Sequence, residues 1–125
     1  MIVRAKSEVK VVDWGNGLSY RLVNKFDEMG FSVAHTVVYA GTKSQLQYRN
    51  HLEACYCISG SGEVVTADGD VTHRIEPGVI YALDQHDAHY LIADPEGDME
   101  LISIFNPPLR GDEKHSLDAG FSAYE

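Results

Sequence analysis

Cysteine is scarce in this chain: there are two among 125 residues. Cys55 and Cys57 are separated by a single residue. In a strand both would point to one face a pleat apart, which is poor geometry for a disulfide, so buried reduced thiols are expected. Basic side chains are also few. Lys and Arg number 10 against 19 Asp and Glu, for a formal net charge of −9. That deficit disfavours nucleic acid and anionic membranes as partners. No run approaches the roughly 20 apolar residues that span a bilayer. Met1-Ile2-Val3-Arg4-Ala5-Lys6 lacks the apolar core of a signal peptide, so the expected address is the cytoplasm. No repeat, low-complexity tract, linker or helical stripe of apolar residues stands out. The length suits one domain over 1–125, polar and irregular from about residue 106.

What the chain does have is hydrophobic content of 44%, 11 Gly and 7 Tyr. Short β-branched and aromatic runs recur between Gly, Pro, Asn and Asp clusters. They predict strands at 9–12, 18–23, 31–39, 45–48, 51–58, 63–66, 71–75, 79–83, 89–93 and 99–105. Residues 59–62 and 67–70 read as hairpin turns, the second through Asp68-Gly69 in type I′ geometry. Short strands at such spacing predict an all-β sandwich or barrel.

Two stretches carry chemistry. The first runs Gly41-x5-Gln47-x-Arg49-x3-Glu53-x6-Gly60, and the second ends in Pro77-Gly78 and, later, His89. The glycines, the carboxylate and the last histidine are similar to the two motifs of the cupins, which implies a jelly-roll-like double-stranded β-helix. The cupin His-x-His is absent, replaced by Gln47 and Arg49. On this pattern alone, the barrel either has no metal or completes its site with another residue.

A closer resemblance lies in four segments. These are Met1-Ile2-Val3-Arg4, the stretch from His51 to Val64, the stretch from Pro77 to His89, and Leu109-Arg110-Gly111-Asp112-Glu113-Lys114-His115. In order and almost without gaps, they resemble the ectoine synthase family. The resemblance implies a metal-dependent hydro-lyase that cyclises N-γ-acetyl-L-2,4-diaminobutyrate to ectoine, a compatible solute made under osmotic stress, with loss of water. It implies Glu53, Tyr81 and His89 as ligands to Fe(2+), with zinc or cobalt as substitutes. It places Tyr48, His51, Glu113 and His115 in catalysis, the last two closing the site from the tail. It places Arg21, Thr36, Ser103, Phe105 and Trp14 around the substrate, with Arg21 on its carboxylate. It also implies a homodimer. The family usually has Trp four residues before the arginine, where this chain has Gly17 with Trp14 nearby, and Cys where this chain has Ser103. Another iron cupin enzyme and a non-catalytic small-molecule-binding cupin are the alternatives. For single residues the alternatives are a surface ion pair at Arg21, plain strand or core positions at Thr36 and Phe105, and solvated tail positions at Glu113 and His115.

Overall fold

A computed structural model describes residues 1–113. Its strands are β1 Val11–Asp13, β2 Gly17–Val23, β3 Ser32–Val38, β4 Lys43–Leu46, β5 Leu52–Ser59, β6 Gly62–Thr66, β7 Thr72–Ile75, β8 Ile80–Leu83, β9 His89–Ala93 and β10 Met99–Asn106. Single 3-10 turns at Lys6–Glu8 and Lys25–Asp27 are the helical segments among the described residues. A six-stranded sheet has the order β1-β2-β3-β10-β5-β8, and a four-stranded sheet the order β4-β9-β6-β7. All pairings in both are antiparallel.

From β3 onward the chain passes back and forth between the sheets: β3 in the larger, β4 in the smaller, β5 larger, β6 and β7 smaller, β8 larger, β9 smaller, β10 larger. This winding is the double-stranded β-helix expected from sequence. It also corrects one expectation. The turn at 59–62 is not a hairpin, because β5 pairs with β10 and β8 while β6 pairs with β7 and β9. Turn residues report only a local reversal. Which sheet each flanking strand joins is decided by burial, and here Cys55 and Cys57 of β5 meet Val64 of β6 across one core. Gly60 serves the crossover: its φ is +71°, and a Cβ there would lie 2.2 Å from the carbonyl oxygen of Asp98.

The turn at 67–70 does join a true hairpin, β6 to β7. It is not type I′, which needs positive φ at both central residues. Gly69 has φ +80°, but Asp68 is not among the non-glycine residues with positive φ. The Asp68 carboxylate instead accepts the Thr66 hydroxyl at 2.6 Å and the Asp70 N–H at 2.9 Å, holding a wider loop.

Strand alternation builds the core. In β10, Met99, Leu101, Ser103 and Phe105 are buried between more exposed neighbours. Met99 and Leu101 meet Leu46, Leu91 and Ala93 of the smaller sheet, together with Trp14 and Val38. A second cluster of Tyr48, Leu83, Phe105 and Leu109 packs at one end, and Tyr81 touches both clusters. Both cysteines are buried and free, as their spacing predicted.

Gly17 marks the tightest strand contact near the barrel interior. A Cβ there would fall 1.8 Å from the Val37 carbonyl oxygen and 3.0 Å from the Trp14 ring. Gly17→Ala is therefore expected to destabilise the protein by about 1–3 kcal/mol through overpacking. Urea or thermal denaturation checks this, and an unchanged midpoint would show that the β2–β3 approach is looser than described.

Candidate functional site

A partly open cavity lies between the sheets, lined by Trp14, Thr36, Tyr48, Glu53, Tyr81 and Phe105 among others. Its innermost free space, about 30 Å³, has room for a water or two, and the cavity continues toward solvent beyond it. Outside Tyr81 a groove of about 710 Å³ runs along β8 toward β7 and β9, bordered by Tyr81 and His89. Tyr81 thus forms a wall common to both spaces.

Period-two alternation delivers the donors. Glu53 is the first inward residue of β5, and it is paired in register with Leu83 on β8 and Phe105 on β10. Burial raises its carboxyl pKa to about 8, against a smaller lowering influence from the Cys55 thiol. No Arg, Lys or His among the described residues contributes a compensating charge. Tyr81, the register partner of Cys55, projects from β8. Burial first, then the neighbouring Cys55 and Glu53, push its phenol well above the usual range.

His89 reaches the site from β9 in the facing sheet, its ring centre 6.4 Å from that of Tyr81 and 6.5 Å from that of Tyr48. Its Nδ1–H donates to the Asp87 carbonyl at 2.9 Å, which leaves the lone pair on Nε2. Nε2 is buried and has no hydrogen-bond partner. Burial holds the His89 pKa below its ordinary value, against weaker raising influences from Asp87, so the ring is kept neutral. His51 is built alike. Its Nδ1–H donates to the Pro107 carbonyl at 2.7 Å, and its Nε2 is buried without a partner. His51 and Tyr48 both stand edge-on to Phe105, at 6.1 and 5.0 Å between ring centres.

These donors fit a divalent cation. A carboxyl with no positive partner, a phenol and a neutral imidazole with a bare buried nitrogen are the hard and borderline ligands such an ion takes. Among the described residues, no group of three His, Cys, Asp or Glu side chains is gathered closely enough to hold a metal. Tyr81, whose phenol lines the same cavity as Glu53, is the further side-chain donor within this space.

The other expected site residues are distributed as follows. The Thr36 and Ser103 hydroxyls face the cavity and bond each other at 2.9 Å. Trp14 is buried and lines the cavity. Arg21 is 2% exposed and does not line this cavity. Its Nε donates to the Ser19 hydroxyl at 2.8 Å and its Nη2 to the Glu113 backbone carbonyl at 2.6 Å, while Nη1 lies 3.5 Å from the Glu113 carboxylate. That carboxylate also accepts the N–H groups of Arg110 and Gly111 at 2.7 and 2.9 Å. Burial works to raise the Glu113 pKa, but those N–H groups and the charge of Arg21 outweigh it and hold the group below the carboxylate range. His115 lies outside the described residues.

Sequence reasoning missed three participants. Ser19 and Cys55 line the cavity. His86, at φ 53°, turns its Nδ1 toward the carbonyls of Tyr48 and His51 at 2.8 and 3.1 Å, tying their loop to the β8–β9 turn. Strand alternation from Glu53 through Cys55 was a usable signal. The sign of φ at His86 leaves no trace in a single sequence.

Comparison with known proteins follows the geometry. The family model for ectoine synthase matches residues 1–125. An L-ectoine synthase of Marinomonas sp. (strain MWYL1) is 46% identical over 121 residues, covering 96% of this chain and 92% of that protein. The crystal structure of ectoine synthase from P. lautus superposes with a TM-score of 0.83 at 43% identity, over 89% of this chain and 81% of that one. A polyketide cyclase from Streptomyces resistomycificus shares the fold, with a TM-score of 0.72 at 18% identity over 89% of this chain and 85% of that one.

The buried carboxyl of Glu53 sets a pH dependence. Its folded pKa of about 8 exceeds the model-peptide value near 4.5, so the folded protein holds the extra proton between these limits. Stability of the metal-free protein is therefore expected to fall as pH rises from about 5 to 8, at up to about 1.4 kcal/mol per unit. Glu53→Gln should flatten that slope, and a divalent cation should oppose it by favouring the carboxylate. Thermal melts of metal-free wild type and variant across this range test the sign. A wild-type melting temperature that rises toward pH 8 would contradict it.

Proposed function

The chain belongs to the ectoine synthase family, and on that footing we propose that it closes N-γ-acetyl-L-2,4-diaminobutyrate to ectoine. The α-amine nitrogen bonds to the acetamide carbonyl carbon, and the carbonyl oxygen departs as water with two protons taken from nitrogen. The observation that supports this most directly is the cavity lined by Glu53, Tyr48, Tyr81 and Phe105, with the buried, partnerless Nε2 atoms of His89 and His51 on rings packed against Tyr81 and Phe105.

An amide is a reluctant electrophile. A divalent iron held by Glu53, Tyr81 and His89, with zinc or cobalt as substitutes, supplies Lewis-acid polarisation of the carbonyl when bound. The chain's own groups do the rest. His51 presents a fixed lone pair at Nε2, because Pro107 holds its Nδ1–H, and it takes the amine proton there. Tyr48, buried against the same Phe105 ring that His51 meets, offers a second proton-carrying group. Trp14 and Phe105 wall the cavity with flat apolar surface that folds a flexible chain toward ring geometry. Thr36 and Ser103 offer hydroxyls to the substrate's polar atoms. Arg21 serves the carboxylate by exchanging its 3.5 Å contact with Glu113 for the substrate. Glu113 stands beside Arg21 at this end, and His115 is given a catalytic role on the family resemblance alone.

The test is direct. Wild-type protein loaded anaerobically with Fe(2+) is incubated with N-γ-acetyl-2,4-diaminobutyrate and followed by NMR. Ectoine should appear, and Glu53→Ala should cut the rate more than about a hundredfold while releasing the iron, since it removes both a ligand and the buried carboxyl. No ectoine from iron-loaded wild type would refute the reading.

Self-association as a homodimer is part of the same proposal. β8 is an edge strand, and Ile80 on it is 61% exposed beside Tyr56 and Ile58 of β5, which are also exposed. Apolar groups on a free edge favour pairing with a second copy. Ile80→Lys should shift the protein from dimer to monomer in light scattering, and a monomeric wild type would overturn the assignment.

A further inference from the structure

Two links that cross between the sheets are joined by one side chain. Residues 47–51 connect β4 to β5, and residues 84–88 connect β8 to β9. Each link passes from one sheet to the other. The first carries Tyr48 and His51, both buried, with exposed Arg49 and Asn50 between them. The second follows β8, which carries Tyr81, and leads into β9 at His89. The first link lies outside both strand ladders, so its carbonyls need partners from elsewhere. His86 serves two of them. Its Nδ1 lies 2.8 Å from the Tyr48 carbonyl oxygen and 3.1 Å from that of His51. A carbonyl only accepts, so Nδ1 carries the proton and donates to both. The tie runs both ways: the Gln47 side-chain amide donates to the His86 carbonyl at 3.2 Å. His86 does this from a φ of +53°, a left-handed conformation uncommon outside glycine that persists where the surroundings impose it.

We infer that His86 is a positioning residue: through its two hydrogen bonds it fixes the link carrying Tyr48 and His51 against the turn between Tyr81 and His89. It thereby sets the proton-transfer groups relative to the other face of the site. The inference rests on the proposed cyclisation, in which His51 and Tyr48 move protons. His86 touches no substrate in this role and acts only through the two carbonyls. Proton transfer is exacting in distance, since the groups must meet at about 2.6–3.2 Å. A displacement of about 1 Å costs on the order of a hundredfold in rate. The two carbonyls that His86 holds belong to the very residues whose side chains react, so losing both bonds loosens the link where placement matters most.

The experiment uses three variants that each tolerate positive φ, so backbone strain does not separate them. His86→Asn keeps an N–H donor close to the place of Nδ1. His86→Asp has the same size but only accepts, and His86→Gly has no side chain to donate. Iron-loaded wild type and variants are assayed for ectoine formation. The metal-free proteins are followed by thermal melts and by amide hydrogen exchange over residues 48–52. His86→Asp and His86→Gly are expected to lose about tenfold or more in kcat with KM within about threefold of wild type, and to exchange faster over 48–52. His86→Asn is expected to keep slow exchange and a kcat within about threefold of wild type. Wild-type kcat in both variants that lack the donor would overturn the inference. Equal losses in His86→Asn would also overturn it, because the ring and not the donated bond would then be responsible. So would failure of both donor-lacking variants to fold, which would make the contact one of folding alone. Iron-loaded wild type that makes no ectoine would sink the cyclisation itself and the inference with it, a pattern separate from an active wild type with unaffected variants.

Discussion

The position of β10 between β3 and β5 governs what the barrel can hold. Hydrogen-bonded on both edges, β10 cannot slip by a residue without turning Met99, Leu101, Ser103 and Phe105 outward together. Its register fixes Ser103 against Cys55 and Phe105 against Glu53. The β5–β8 pairing then fixes Cys55 against Tyr81. The cavity wall is therefore specified by strand pairing and period-two alternation, and the side chains in it gain their precision from the sheet. Leu46 and Leu91 line the cavity from the facing sheet with His89 beside it, so the spacing between sheets sets how far the imidazole stands from the phenol.

This arrangement opposes stability. Burying a carboxyl with no positive partner and leaving histidine nitrogens without hydrogen bonds each costs on the order of 1–3 kcal/mol or more. A sequence selected only for folding would fill these inward positions with apolar groups, as β10 does at Met99 and Leu101. Glu53 in the cavity lining, and His51 and His89 packed beside it, are each unfavourable groups to bury without a partner. The neutral states of Glu53 and His89 are what such an environment imposes. The same carboxyl whose charge is suppressed by burial regains it beside a positive ion.

Much of the fold was legible in the residues because strand alternation and turn clusters are local signals. The expected strands at 18–23, 89–93 and 99–105 coincide with β2, β9 and β10 to within a residue at each end. The link at 59–62 was misread because a glycine-rich reversal looks the same whether it joins neighbours in one sheet or crosses to another. That Glu53, Tyr81 and His89 lie near one another was legible only through resemblance, since a strand tyrosine announces no such neighbours. The engagement of Arg21 by Glu113 was hidden for a different reason. It joins residues far apart in the chain, and the backbone N–H groups of Arg110 and Gly111 that pin the carboxylate belong to no motif. Cys55 was read as a bland core thiol, which its burial bears out; its polar neighbours come from two other strands.

Gly17 and Trp14 show how a change in a cavity wall can be absorbed locally. Any side chain at Gly17 would collide with the Val37 carbonyl in the present β2–β3 approach. The backbone here is so close that an aromatic at this position would require the strands to move apart. The Trp14 ring lies over the missing side chain and lines the cavity from the turn before β2. Glycine at 17 and tryptophan at 14 are thus one structural feature: the first creates the space, and the second fills it with an aromatic face. Replacing either alone leaves a clash or a void, so the wall's shape depends on the pair, and an aromatic surface reaches the interior from a loop without any change in the strands that carry Glu53, Tyr81 and His89.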